Sequence, residues 1–233
     1  MVFKYYHGTS TIFLDSIRKY GLGAINPNTD QKNLEVLKFL FELSENHLKL
    51  NPEYITLKNS TWAMVNQGTE ELTDERGNKV VLHFRHDGMY VSITRIRAAI
   101  YAVLNKYGSE ILERCIELYK LLINSNIPVK IPPEIDLFDF RQYIDAETKP
   151  IMIEVLGISD NDLEKEDGKT ASDALNLLRR CIPKLTEKEQ FEFLQYCNFK
   201  LLKPVPVKQL NFFEIEYEGH PENGDFKFLL SRI

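Results

Sequence analysis

The chain has little cysteine and no long apolar run. Its three cysteines, Cys115, Cys181 and Cys197, are odd in number and lack the spacing of a metal site. Each lies among apolar residues, so we expect buried thiols in a reducing, cytoplasmic compartment. No apolar stretch approaches the roughly 18 residues of a membrane span, so we expect no membrane partner. The first seven residues lack the basic and apolar regions of a signal peptide, and they predict a strand.

Charge and motif content exclude further classes. The net charge of −5 argues against a duplex nucleic acid as partner, because proteins that bind one usually carry a basic surface. If the folded chain forms a local basic patch, a nucleic acid is still an open alternative as partner. The chain contains no G-x-G-x-x-G, P-loop, H-E-x-x-H, C-x-x-C or G-x-S-x-G motif. We therefore expect neither a Rossmann dinucleotide site nor a metal centre.

The remaining composition is that of a globular protein. Hydrophobic residues make up 43% and charged residues 27% of the 233 residues, which suits one domain with a buried core. Strands and helices do not alternate strictly, which favours an α+β fold over a doubly wound sheet. Apolar periodicity predicts strands at 2–7, 80–84, 89–93, 150–158, 198–205, 210–217 and 226–231, and helices at 30–50, 171–182 and 187–196.

The first motif is Tyr5-Tyr6-His7-Gly8-Thr9-Ser10. It predicts a strand that ends at His7, followed by a loop in which Gly8 lets a ligand approach the backbone. Ser10 or Thr11 caps the short helix that follows, and Gly21 ends that helix in the left-handed conformation. The motif therefore places a histidine and a glycine together at one end of a predicted strand.

The second motif begins about 80 residues later, at Gly88-Met89-Tyr90-Val91-Ser92-Ile93-Thr94. It predicts a strand over 89–93 and a helix from residue 95, with Thr94 as the N-cap. The helix carries Tyr101 beside apolar residues, and Gly108-Ser109 interrupts the helical pattern before a second helix begins. Two strands that each lead into a helix thus bring aromatic and polar side chains to their ends.

Taken together, the two motifs resemble the ADP-ribosyltransferases of the His-Tyr-Glu type, the branch of diphtheria toxin and poly(ADP-ribose) polymerase. The resemblance covers 2–24, 86–107 and 150–210. It implies split antiparallel β-sheets around an NAD cleft and transfer of one ADP-ribose from NAD to an unidentified macromolecular acceptor. We expect a single domain over 1–233, with insertions at about 27–80 and 125–148 and a helical segment at about 160–197.

The resemblance also assigns roles to residues. In the family, the histidine of the first strand binds the adenosine-side ribose and the next glycine grips the nicotinamide amide through its backbone, which implies His7 and Gly8. Two tyrosines sandwich the nicotinamide ring, which implies Tyr90 and Tyr101, and aromatic faces suit a flat cationic ring. The expected NAD-binding set also contains Thr9, Ser92 and Gln195.

The third motif departs from the family. Where the family begins a strand with a glutamate that anchors the ribose, this chain has Asn198. Gln195 lies one helical turn earlier, and Glu214 and Glu216 lie on the next predicted strand. An asparagine hydrogen-bonds hydroxyls but cannot carry a negative charge or act as a base at neutral pH. Either another residue takes the position, or the enzyme makes single transfers with help from its acceptor, or the site only binds.

Two alternatives therefore remain. An RNA 2′-phosphotransferase resembles the same family and needs arginines for phosphate; Arg95 and Arg97 are available, but the net negative charge argues against it. An inactive NAD- or ADP-ribose-binding module is the alternative outside the enzymes, with Asn198 in place of the acid. The expected catalytic residues are His7, Tyr90 and Asn198, and NAD is the expected substrate.

Overall fold

A computed structural model describes residues 3–73, 77, 79–194, 197–223 and 225–233. The chain divides into two compact units. Unit 1 contains the described residues of 1–25, 88–109 and 147–233, and unit 2 those of 26–87 and 110–146. The stretches predicted as insertions fall largely in unit 2.

Strands and helices mix along the chain, which confirms the expected α+β class. The strands are β1 (Tyr5–Ser10), β2 (Thr69–Thr73), β3 (Lys79–His83), β4 (Tyr90–Ser92), β5 (Pro150–Val155), β6 (Leu163–Lys165), β7 (Asn198–Leu201), β8 (Leu210–Glu218) and β9 (Lys227–Arg232). The helices are α1 (Thr11–Tyr20), α2 (Asn33–His47), α3 (Pro52–Val65), α4 (Arg95–Leu104), α5 (Glu110–Asn124), α6 (Ser172–Cys181) and α7 (Glu187–Leu194).

Unit 1 is built on a seven-stranded sheet in the order β6-β7-β4-β1-β5-β8-β9, with antiparallel neighbours throughout. The pairing of β1 with β5 runs along all six residues of both strands. The pairing of β1 with β4 is limited to Tyr6 opposite Ser92. The sheet therefore consists of two halves, β6-β7-β4 and β1-β5-β8-β9, that meet through one residue pair.

Helix α4 covers one face of this sheet. Its small residues Ala98, Ala99 and Ala102 are buried in a cluster that includes Tyr6 and Met152. Alanines allow the helix backbone to lie close to the strands, because they have almost no side chain to separate the two. The N-cap predicted at Thr94 is confirmed, since its Oγ1 accepts from the N–H of Arg97 at 3.3 Å. The sequence thus positions α4 directly after β4.

Unit 2 contains α2, α3 and α5, which pack against one another, and the β2–β3 hairpin. The single helix predicted over 30–50 is shorter, because α2 ends at His47 and a new helix begins at Pro52. Proline suits a first helical turn, and the Asn51 side chain caps it by accepting from the N–H of Tyr54 at 3.1 Å. Residues 54–65, to which the sequence analysis assigns no element, are therefore helical.

Three further expectations need correction. Strand β1 does not end at His7 but continues to Ser10, because its last three residues pair with 150–152 of β5; Val2 lies outside the described residues. Strand β6 was not predicted. Of the three cysteines expected to be buried, only Cys115 is; Cys181 and Cys197 are half-buried. Within the described ranges, no helix has the length and apolar character needed to cross a membrane.

Candidate functional site

A hydrogen bond joins the first two motifs. The Nδ1 atom of His7 lies 2.8 Å from the carbonyl oxygen of Tyr90. A carbonyl oxygen can only accept, so Nδ1 carries the proton and donates it. Burial lowers the pKa of His7 below its ordinary 6.5, although the Tyr90 carbonyl opposes the shift. His7 is therefore neutral at pH 7, and its Nε2 atom is left as an acceptor.

The same junction places Ser92 beside the first strand. Ser92 lies opposite Tyr6, and its buried hydroxyl donates to the carbonyl oxygens of Thr94 at 2.9 Å and Tyr6 at 3.4 Å. These bonds fix the end of β4 against β1 at the only position where the two strands pair. The Tyr90 carbonyl oxygen, which accepts the hydrogen bond from His7, lies two residues before Ser92. At Tyr90 the strands β1 and β4 are no longer paired. The histidine thus bridges the gap between the two halves of the sheet.

The third motif lies on the strand next to β4. Asn198, the first residue of β7, is directly opposite Ser92, and Tyr90 is opposite Lys200. Opposite residues of an antiparallel pair project their side chains to the same face. Tyr6, Ser92 and Asn198 therefore form one row across three adjacent strands. The structure brings together the strands that carry all three predicted motifs.

A carboxylate that the sequence reasoning missed continues this row. Lys165 of β6 lies opposite Phe199, so the next residue, Glu166, comes level with Asn198. The Asn198 Nδ2 atom donates to Glu166 Oε1 at 3.1 Å. Glu166 follows a three-residue strand in the charged run Glu-Lys-Glu-Asp, where apolar alternation gives no signal. Only the β6–β7 register reveals the contact.

Glu166 also acts on a neighbouring thiol. Burial and, to a smaller extent, the negative charge of Glu166 together raise the pKa of Cys197 from 9.0 to about 11. The thiol Sγ lies 3.7 Å from the Phe193 carbonyl oxygen, to which it donates. At neutral pH the group therefore stays protonated and cannot act as a nucleophile, since the thiolate is the reactive form. The polar groups beside this thiol include the Glu166 carboxylate and the Asn198 amide, which are hydrogen-bonded to each other.

Gly8 and Tyr101 are related through α4. A Cβ atom placed on Gly8 would lie 2.1 Å from the Ala98 carbonyl oxygen and 3.1 Å from the Ala102 backbone nitrogen. Glycine at this position lets the strand and the helix backbone touch. Tyr101 lies on that helix, between these two contact points and half-buried. The contact places the predicted ring-stacking residue on the element packed against the His-Gly motif.

The Thr9 side chain has a partner inside the protein. It is buried, with 1% of its surface exposed, and its Oγ1 donates to the Gly108 carbonyl oxygen at 3.3 Å. This bond ties the strand to the turn after α4. The NAD contact predicted for Thr9 stays a prediction, and in the structure its hydroxyl supports the scaffold on which His7 and Gly8 lie.

A second acid missed by the sequence reasoning lies in the same row. Glu154 of β5 is opposite Tyr6 and is 7% exposed. Burial would raise its pKa, but hydrogen bonds from Asn211 at 3.0 Å and Lys4 at 3.1 Å and the charge of Arg95 outweigh burial and lower it. The sequence signal that could have identified Glu154 is that it is the single acidic residue in the apolar run 150–155. Its three partners make Glu154 a charged anchor within the sheet.

The other predicted acids lie elsewhere. Glu214 and Glu216 are on β8, which is separated from β7 by three strands. Glu214 is paired with Lys149, whose Nζ is 2.6 Å from its Oε1, and Glu216 accepts from Ser231 at 3.3 Å. The structure does not bring these two carboxylates to Asn198. Gln195 lies outside the described residues.

Other kinds of site find little support near the motifs. Across the described residues, no group of three or more histidine, cysteine, aspartate or glutamate side chains is arranged to hold a metal ion. A small cavity of about 100 Å³ is lined by residues that include Gly157, Lys203 and Gln209, and by none of the predicted site residues. Ligand pockets usually enclose several hundred Å³. The motif residues, rather than this cavity, define the candidate site.

Comparison of the chain with models of known protein families, with curated proteins and with solved structures finds no match.

Proposed function

We propose that the protein is an NAD-dependent mono-ADP-ribosyltransferase that cleaves the bond between nicotinamide and ribose. The observation that carries the proposal is the 2.8 Å hydrogen bond from His7 to the Tyr90 carbonyl oxygen. It joins two motifs that are 83 residues apart in the sequence and that the family resemblance links on independent grounds. An isolated His-Gly-Thr sequence would have no reason to lie against a Gly-x-Tyr strand.

The two-part sheet supports the proposed architecture. The family resemblance implies split antiparallel sheets, and the strand pairing between β1 and β4, which joins the two halves of this sheet, is confined to Tyr6 and Ser92. His7 lies one residue beyond that pair. An NAD molecule bound at the junction would contact main-chain groups on the two strands whose pairing ends there. The proposed NAD site is therefore where β1 and β4 separate.

Each motif residue then has a defined task. The neutral His7 presents its Nε2 atom as an acceptor for a hydroxyl of the adenosine-side ribose. The Gly8 backbone holds the nicotinamide amide, and the rings of Tyr90 and Tyr101 stack on the cationic nicotinamide. Holding both ends of NAD stabilises the strained pose from which the glycosidic bond breaks. The transition state is positive at the ribose, so a nearby negative charge would accelerate the reaction.

The catalytic proposal is tested by incubating the purified chain with NAD and measuring free nicotinamide. We expect slow release that increases with protein concentration, and ADP-ribose attached singly to an acceptor or to the protein itself. Asn198→Glu should increase NAD hydrolysis, because a carboxylate stabilises positive charge and activates water. NAD affinity should change by less than about tenfold, or 1.4 kcal/mol. Absence of nicotinamide release from both proteins would refute an enzymatic function.

The second candidate is a module that binds NAD or ADP-ribose without turnover. Asn198 favours it, because an amide at the family's acidic position cannot act as a base. The measurement that separates the two is a thermal shift with NAD alongside the nicotinamide assay. A ligand that binds the folded state raises the melting temperature by an amount that grows with its concentration relative to Kd, whether or not it reacts. Stabilisation by NAD without release of nicotinamide would assign the chain to the binding class.

A further inference from the structure

We propose that Glu166 supplies the carboxylate that the family places on the strand of Asn198, an inference that rests on the proposed function. Asn198 stands at the start of β7, and its amide nitrogen donates to Glu166 Oε1 at 3.1 Å. Asn198 and Glu166 therefore form one hydrogen-bonded pair. The amide oxygen of Asn198 accepts from ribose hydroxyls, and the charge comes from the neighbouring strand.

The register of the sheet explains why Glu166 can fill this role. Glu166 follows β6 and is level with Asn198, while Ser92 is level with Asn198 on the other side. Neighbouring strands lie about 4.8 Å apart, so the carboxylate is displaced by about one strand spacing from the family position. The side chain of a glutamate is long enough to return across one such spacing. The hydrogen bond to Asn198 shows that the two side chains meet between the strands.

The hydrogen bond also orients the asparagine. A carboxylate can only accept, so the Asn198 nitrogen must face Glu166 and the amide oxygen must point away from it. The amide oxygen is thereby available to accept a hydrogen bond from a ribose hydroxyl. Glu166 thus acts first as a positioning residue, and its negative charge lies one hydrogen bond from the sugar. That charge also reaches Cys197, whose pKa it raises.

In the proposed step, an oxygen nucleophile replaces nicotinamide on C1′ of the ribose. The bond between ribose C1′ and nicotinamide N1 breaks, and its electron pair leaves with the nicotinamide, which becomes neutral. The oxygen of water or of an acceptor hydroxyl forms the new bond to C1′. Its proton passes to the Glu166 carboxylate, which later releases it to solvent. Glu166 stabilises the developing positive charge before the proton moves.

The test compares Glu166→Gln with Glu164→Gln. Glu164 lies two residues earlier, on β6 itself, and is half-buried like Glu166, so it is a matched control. Glu166→Gln keeps the size of the side chain and removes the charge. We expect kcat for nicotinamide release to fall by about a hundredfold or more, with NAD affinity within tenfold of the parent. Glu164→Gln should retain the rate of the parent.

Two further measurements separate catalysis from folding. The parent should lose activity at acidic pH as its carboxylate is protonated, and Glu166→Gln should lack that dependence. Adding Asn198→Glu to the Glu166→Gln protein should restore turnover. The double variant again has a carboxylate at the site, on the strand next to the one that Glu166 follows. If Glu166→Gln does not fold, Glu166→Asp replaces it and should retain part of the rate.

The outcomes distinguish this inference from the function on which it rests. A parent that releases nicotinamide while Glu166→Gln matches its rate would overturn the role of Glu166 alone. Equal losses in Glu166→Gln and Glu164→Gln would also overturn it. A parent that releases no nicotinamide would remove both the role of Glu166 and the transferase proposal.

Discussion

At the scale of the residue, Tyr101 is the most direct test of NAD stacking. Tyr101→Ala should weaken NAD binding by about 1–3 kcal/mol, the range typical of one aromatic ring stacked on a base. Titration calorimetry measures the change, and circular dichroism confirms that the variant is folded. Tyr20→Ala is the control, because Tyr20 belongs to unit 1 and is 50% exposed. If Tyr101→Ala binds NAD as tightly as Tyr20→Ala does, Tyr101 does not stack on the ring.

His7 makes the stability of the protein depend on pH. Its pKa is lowered by burial below the ordinary 6.5 of an unfolded histidine. The unfolded state therefore takes up a proton first, and the contribution of His7 to stability is complete above pH 6.5 and declines as the pH falls below it. His7→Asn should show a smaller loss of unfolding free energy on acidification. Urea denaturation of both proteins at a series of pH values below 6.5 measures this loss. A difference in unfolding free energy between parent and variant that is constant with pH would contradict the role of His7.

Single residues also show where sequence reasoning succeeds and where it ends. His7 and Tyr90 were expected at one site because the family resemblance assigns both of them to it, and the structure places the His7 Nδ1 atom 2.8 Å from the Tyr90 carbonyl oxygen. Glu166 could not be found in this way. Its contact with Asn198 depends on the β6–β7 register, and the two residues lie 32 positions apart in the chain. Long-range pairing of a three-residue strand leaves no periodic signal in the sequence.

At the scale of the element, the packing of β1 against α4 requires glycine at position 8. A Cβ on that residue would lie 2.1 Å from the Ala98 carbonyl oxygen, so the helix backbone would have to move. Gly8→Ala should destabilise the protein by at least about 1–3 kcal/mol, as overpacked cores do. Gly88→Ala is the control, because the nearest atom there is the flexible end of Lys200. Equal midpoints of denaturation for the two variants would contradict a rigid β1–α4 contact.

The elements were predicted unevenly for a physical reason. Strand β5 follows directly from the near-continuous apolar run at 150–155, because a strand buried on both faces needs no polar alternation. Strand β1 was predicted to end three residues too early, since Gly8, Thr9 and Ser10 have the composition of a loop. Their strand conformation comes from pairing with β5, a tertiary interaction that overrides local preference.

At the scale of the whole molecule, the two units lead to a prediction about where NAD acts. The motif strands β1, β4 and β7 all belong to unit 1, whereas α2 and α5 belong to unit 2. A ligand that binds the folded state suppresses the local opening of the segments it contacts. Saturating NAD should therefore slow amide hydrogen exchange most where β1 and β4 separate, between residues 7 and 10 and at Tyr90.

The same experiment identifies the site independently of turnover. Only one residue pair, Tyr6 with Ser92, joins β1 and β4, so few strand hydrogen bonds oppose local opening at this junction. Bound NAD should therefore suppress local opening most strongly there. Peptides from α2 and α5 should exchange at an unchanged rate. Tyr101→Ala should reduce the protection at a fixed NAD concentration, because it lowers occupancy. Protection that is confined to α2 and α5, or that leaves β1 and β4 unaffected, would place the ligand away from the motif residues and contradict the proposed NAD site.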